Sequence, residues 1–173
     1  MRGPDHCFID AERWLARPPQ PPDRDTALCL LATRYLAGHG AASAADLAAY
    51  TGLGLTDARR AVALAGDEVR DIGATPALPP PRLLGMFDPV LHGWRDRSWV
   101  VGPHPDVVTS NGMFRASALV DGRVAGVWTL AGGAVTLRPL RPLAPGVLAG
   151  LEAEAVGVLR FLGLPPAPVV LPP

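Results

Sequence analysis

Ser43-Ala44-Ala45-Asp46-Leu47-Ala48-Ala49-Tyr50-Thr51-Gly52-Leu53-Gly54-Leu55-Thr56-Asp57-Ala58-Arg59-Arg60-Ala61-Val62-Ala63-Leu64-Ala65-Gly66 is the stretch on which the fold turns. Ser43 is placed to cap a helix, with Asp46 closing a short-armed capping box. Leu47, Ala48 and Tyr50 then supply an apolar face before Gly52, enough for a helix of about two turns. Gly52-Leu53-Gly54 reads as a tight turn, and Thr56 as the cap of a following helix. In that helix Ala58, Ala61, Val62 and Ala65 share one stripe, which leaves Arg59, Arg60 and Ala63 outside. Helix, glycine turn and helix is the helix-turn-helix arrangement, whose last helix enters a DNA major groove in known examples. A plain three-helix bundle packed on a protein partner fits the same pattern equally well.

Upstream, Leu28, Leu31, Ala32, Tyr35 and Leu36 recur at helical spacing from Asp25 until Gly38 and Gly40 end the pattern. Before that, residues 8–17 predict a short helix around Trp14, followed by a connector at Pro18, Pro19, Pro21 and Pro22. Downstream, Glu68 to Ile72 reads as a strand, which would turn the helix-turn-helix into a winged helix. Pro76 to Pro81 marks a linker.

Beyond the linker the period changes. Phe114 to Val120, Arg123 to Leu130 and Val135 to Leu140 read as strands, and Asp121-Gly122 joins the first two as a type I′ turn, which needs positive φ at both central residues. That turn sets Arg115 opposite Trp128, so the guanidinium would lie over the indole or cover a core edge. Leu148, Leu151, Ala155, Val158, Leu159 and Leu162 trace a final helix expected to pack on the meander, with Glu152 and Glu154 mostly outside. Pro165 to Pro173 reads as a mobile tail with no core to join. The expected architecture is α+β. It comprises a partial helix and connector (1–22), a winged helix-turn-helix unit (23–75), a linker (76–82), a second winged-helix-like unit with an antiparallel meander and C-terminal helix (83–163), and a tail (164–173).

The 173 residues carry 16 basic and 16 acidic side chains, a net charge of zero, so no global basicity announces a nucleic-acid binder. Every basic residue is Arg, the better side chain for bidentate phosphate and guanine contacts. Cys7 and Cys29 match no zinc or redox spacing and read as reduced thiols. His6, His39, His92 and His104 have no second ligand at a metal-binding spacing, and no metal or cofactor is expected. Neither a Gly-x-Ser-x-Gly elbow, a P-loop nor a Gly-x-Gly-x-x-Gly fingerprint occurs, which removes the common hydrolase and nucleotide-enzyme readings. Asp88 is the one carboxylate to weigh as an acid–base group, although an Asp before Pro89 usually caps a turn or helix. Between Arg95 and Arg97, Asp96 either orients one guanidinium while the other points outward or merely neutralises its neighbours. With no secretory h-region and no long apolar stretch, the expectation is a soluble cytoplasmic protein, away from membranes.

Leu83-Leu84-Gly85-Met86-Phe87-Asp88-Pro89-Val90-Leu91-His92-Gly93-Trp94-Arg95-Asp96-Arg97 resembles a signature of a bacterial winged-helix DNA-binding family that includes the AlkZ-type DNA glycosylases. Asn111-Gly112-Met113-Phe114-Arg115, the hairpin Val120 to Trp128 and the run Leu151 to Gly163 resemble later elements of that family in the same order. Arg34-Tyr35-Leu36, Ala45-Asp46-Leu47 and Gly52-Leu53 are similar to its middle winged helix. The resemblance implies tandem winged helices forming a curved surface that embraces double-stranded DNA and, in the enzymes, excision of alkylated or crosslinked bases. It places the catalytic Gln-x-Gln or Gln-x-Asp motif in an N-terminal winged helix. Gln20, in the proline connector, is the only glutamine here. The resulting expectation is a nucleoid-associated duplex-DNA binder that does not itself excise bases. The alternatives are a truncated glycosylase, with a protein partner supplying the missing N-terminal domain, or an interaction module that has lost DNA. Expected contacts are Arg59 and Arg60 on the recognition helix, His92, Trp94, Arg95 and Arg97 downstream, and Arg115; no catalytic residue is assigned.

Overall fold

A computed structural model describes residues 8–17, 20–66 and 77–172. Asp10 caps a one-turn helix α1 (Ala11–Trp14), shorter than expected, with Phe8 and Trp14 in solvent. Asp23 then accepts the Asp25 and Thr26 N–H groups and starts α2 (Arg24–His39), which buries Leu28, Ala32, Tyr35 and Leu36. Leu31, expected on that face, lies at its rim and is exposed. The Ser43/Asp46 capping box forms as read and opens α3 (Ala44–Thr51), which ends at Gly52 in the left-handed region. The next helix, α4 (Leu55–Ala65), begins at Gly54 and lacks the expected Thr56 cap, because Leu55 and Thr56 already belong to its first turn. Ala58 and Ala61 are buried, and their small side chains let α4 close against α2 and α3 around Leu36 and Leu47. The Glu68–Ile72 wing strand lies outside the described residues.

The second half is a four-stranded antiparallel sheet in the order β1 (Arg82–Leu84), β2 (Ser117–Val120), β3 (Arg123–Ala131), β4 (Ala134–Pro139). Its first strand was not legible, since three residues are too few to display a period of two. Asp121 at φ 52° and Gly122 at φ 73° form the expected primed turn. The expected Arg115–Trp128 pair does not form. A bulge shifts the register from Leu119↔Val124 to Ala118↔Gly126, leaving Ala125 as the extra residue, and β2 begins only at Ser117. Instead the Trp128 indole N–H donates to the Leu84 carbonyl at 2.9 Å.

Both sheet faces are covered. On one, α7 (Pro145–Phe161) packs Leu151 and Ala155 against Ala118, Val120, Val135 and Leu137. On the other, α5 (Pro89–His92), α6 (Ser98–Val101) and a 3-10 turn at Pro105–Val107 bring Leu91, Val100 and Val107 onto Leu119, Val124 and Val127. The terminal segment, expected to have no core to join, docks: Val170 bridges β4 through Leu137 N–H to Val170 O at 2.8 Å and Val170 N–H to Val135 O at 2.9 Å. Satisfying the open edge of β4 accounts for this order. None of the described helices is long and apolar enough to cross a membrane.

Candidate nucleic-acid interface

Residues 93–97 are built onto the helices before they meet solvent. Tyr35 donates its hydroxyl to the Gly93 carbonyl at 2.6 Å. Gly93 is buried, and a Cβ there would stand 2.4 Å from the His39 ring and 2.6 Å from the Pro89 carbonyl, so the contact is possible only for glycine. Trp94 packs on the helical core, 5.0 Å from the His39 ring and edge-on to Trp99 at 5.0 Å. Asp46 serves both sides: Oδ2 accepts the Ser43 N–H and hydroxyl, while Oδ1 accepts the Arg95 N–H at 2.9 Å. Partial burial pushes the Asp46 carboxyl up, but the Ser43 and Arg95 hydrogen bonds and the Arg95 charge outweigh it, and its pKa lies below the ordinary value. Burial, followed by the neighbouring Asp46 charge and Tyr50, raises the Tyr35 phenol well above its usual range, so it stays a donor.

With its backbone held, the loop presents Arg95 and Arg97 at a cleft of about 560 Å³ that His104 and Val108 also line. Asp96 orients neither arginine. It accepts the Ser98 N–H at 2.9 Å, and the hydrogen bonds from Ser98 lower its pKa. The Arg97 guanidinium sits 5.1 Å from the Phe114 ring centroid, a cation–π contact. Arg115 is exposed and lines a second cleft of about 220 Å³ with Met86 and Trp128. Among the described residues, none of Arg59, Arg95, Arg97 and Arg115 forms an ion pair.

Arg60 differs. It grips Asp25 through both Nε and a terminal nitrogen, at 2.7 and 2.5 Å, while Arg24 holds Asp57 at 2.7 Å. Asp25 and Tyr35 lie about 15 Å apart along α2, at roughly 1.5 Å per residue. Arg60 of α4 and the Arg95/Arg97 loop therefore attach to different ends of α2. They do not form one compact cluster.

Asp88 acts as a cap, accepting the Val90 N–H at 2.9 Å with Pro89 in the first turn of α5. His92 hydrogen-bonds the Phe87 carbonyl through Nε2 and stacks on Tyr50 at 5.7 Å, which gives it a local structural task. Phe87 has φ 61°, and a non-glycine residue held there costs on the order of 1–3 kcal/mol. Sequence reading missed Phe87, His39 and the second role of Asp46. An exposed Phe beside a capped proline turn was the only available hint.

The sequence model of the DNA glycosylase AlkZ-like family matches residues 1–161. The chain belongs to that family. Among solved structures, the DNA glycosylase AlkZ of Streptomyces sahachiroi matches with a TM-score of 0.78 at 24% identity, covering 94% of this chain and 50% of that one. The likeness is therefore one of fold, and this AlkZ-like chain spans half the length of its solved relative. No curated protein matches the chain. The motif resemblance thus holds at the level of family, and the α+β architecture at the level of fold.

Proposed function

We propose that this chain binds double-stranded DNA through Arg95, Arg97, Arg115 and Arg59, and that it does not itself cleave a glycosidic bond. The carrying observation is that Arg95 and Arg97 share an open cleft, while the one carboxylate between them is committed to Ser98. Guanidiniums without ion-pair partners among the described residues, in a chain of zero net charge, are suited to phosphate oxygens. In this reading residues 23–75 and 83–163 act as two winged-helix-like units on one duplex, and the protein works at the nucleoid, in the cytoplasm. Arg60 and His92 are minor contributors, since both already hold partners, and Trp94 supports the loop from behind.

Excision needs a group that positions water against the sugar. The sole glutamine, Gln20, stands in a proline connector, and Asp88 is occupied as a cap. Incubating the purified chain with alkylated duplex DNA, and separately measuring duplex binding by anisotropy, tests both parts. The expected result is salt-sensitive binding without abasic sites. Robust release of alkylated bases overturns the non-catalytic half and favours a glycosylase that is active in this stretch of chain. Absence of binding at low salt favours a protein-interaction module.

A further inference from the structure

We infer that Phe87 is a wedge that enters a base-pair step of duplex DNA, with Met86 alongside. This rests on the duplex-binding reading above and adds to it a distortion of the bound DNA. Met86 and Phe87 are 52% and 49% exposed at the tip of the turn between β1 and α5, where large apolar side chains do nothing for the core. The tip is stiff. Phe87 is held at φ 61°, its carbonyl is tied to His92, and the next residue caps α5. Asp121 is the other non-glycine residue with positive φ among those described, and there the primed hairpin turn demands it. Phe87 also lies in a tight turn, following Met86, and positive φ at that third turn position ordinarily selects glycine or asparagine, not a large aromatic residue. A strained backbone that persists points to a task for the side chain it displays.

The surroundings identify what the wedge meets. His92, which anchors Phe87, stacks on Tyr50 of α3 and lies 5.7 Å from Phe114, so the tip is braced on both halves of the molecule. Arg97 covers Phe114, and Arg115 shares a cleft with Met86. An apolar tip accompanied by guanidiniums matches the chemistry of a base step between its phosphates. Phe and Met are side chains that DNA-bending proteins insert between bases. Easily unstacked pyrimidine–purine steps and mismatches should be entered preferentially.

The test uses the full chain and a duplex carrying 2-aminopurine at a TpA step, whose fluorescence rises when the base unstacks; binding is followed in parallel by anisotropy. Phe87→Gly removes the ring and relieves the positive φ, so folding is expected to be retained, with the thermal midpoint as the check. Phe87→Leu keeps an apolar tip. Wild type should raise the fluorescence severalfold and Phe87→Leu in part. Phe87→Gly should abolish the rise and weaken binding roughly tenfold, the scale of one lost aromatic–base stack. If wild type binds without a fluorescence rise, or Phe87→Gly retains it, the wedge is overturned and duplex binding stands. If wild type does not bind, the duplex reading fails and the wedge with it.

Discussion

The helices α2 and α4 and the segment from Gly93 to Arg115 both display exposed arginines, yet they use them differently. On the helices Arg24 and Arg60 are matched to Asp57 and Asp25, which ties the start of α2 to α4, and Arg59 is the α4 arginine with no ion pair among the described residues. On the downstream segment the hydrogen bonds of the acids go elsewhere, Asp96 to Ser98, Asp46 to Ser43 and the Arg95 backbone, and Asp88 to Val90, and the Arg95 charge acts on Asp46 without an ion pair. The comparison teaches that a count of surface arginines does not measure phosphate-binding capacity. What matters is which carboxylates the fold has already engaged.

The strongest way to break the comparison is to separate the two regions. Gly93→Ala drives a methyl into His39 and the Pro89 carbonyl, and overpacking of this kind should cost about 1–3 kcal/mol or more. Urea unfolding measures it, and an unchanged midpoint would show that the contact is slack. Asp46→Asn should cost about 1 kcal/mol near neutral pH, the scale of a helix cap, because it weakens the capping box and the tie to Arg95. The Asp46 pKa is depressed in the folded state, so its contribution is present above the ordinary 3.8 and is lost as pH falls through the lower folded value. Stability of the variant should therefore fall less steeply than that of wild type below about pH 4. Equal slopes there would remove Asp46 from the acid response. The smallest expected effect sharpens the contrast: Asp25→Asn should release Arg60, raising duplex affinity by roughly twofold to fivefold at low salt and steepening its salt dependence. No change in the anisotropy titration would mean that Arg60 points away from the duplex.

Much of this was legible where a local rule fixes the answer. Ser43 with Asp46, the Asp121-Gly122 turn and the stripe Leu151, Ala155 and Leu159 each depend on neighbours within a few residues, and each formed. What escaped depends on distant parts of the chain. The bulge at Ala118/Leu119 shifts the Arg115 register because two covered faces must both be filled. The docking of Val170 answers an unpaired edge that no local pattern reveals. At the candidate site, the Arg95/Arg97 run could be singled out from sequence. Its freedom from Asp96 could not, because whether an acid faces Arg or a backbone N–H is settled by χ angles and by the start of α6. The pairing of Arg60 with Asp25 was likewise invisible, since it joins two helices 35 positions apart.

The salt dependence of duplex binding tests the central claim most directly. Wild type, Arg95→Gln/Arg97→Gln and Arg24→Gln/Arg60→Gln would be titrated across a range of salt concentrations. At about 0.9 per phosphate contact, the first double variant should lose close to 2 from the slope of log K against log salt, and the second almost nothing. Equal losses from both, or none from the Arg95/Arg97 pair, would contradict the account.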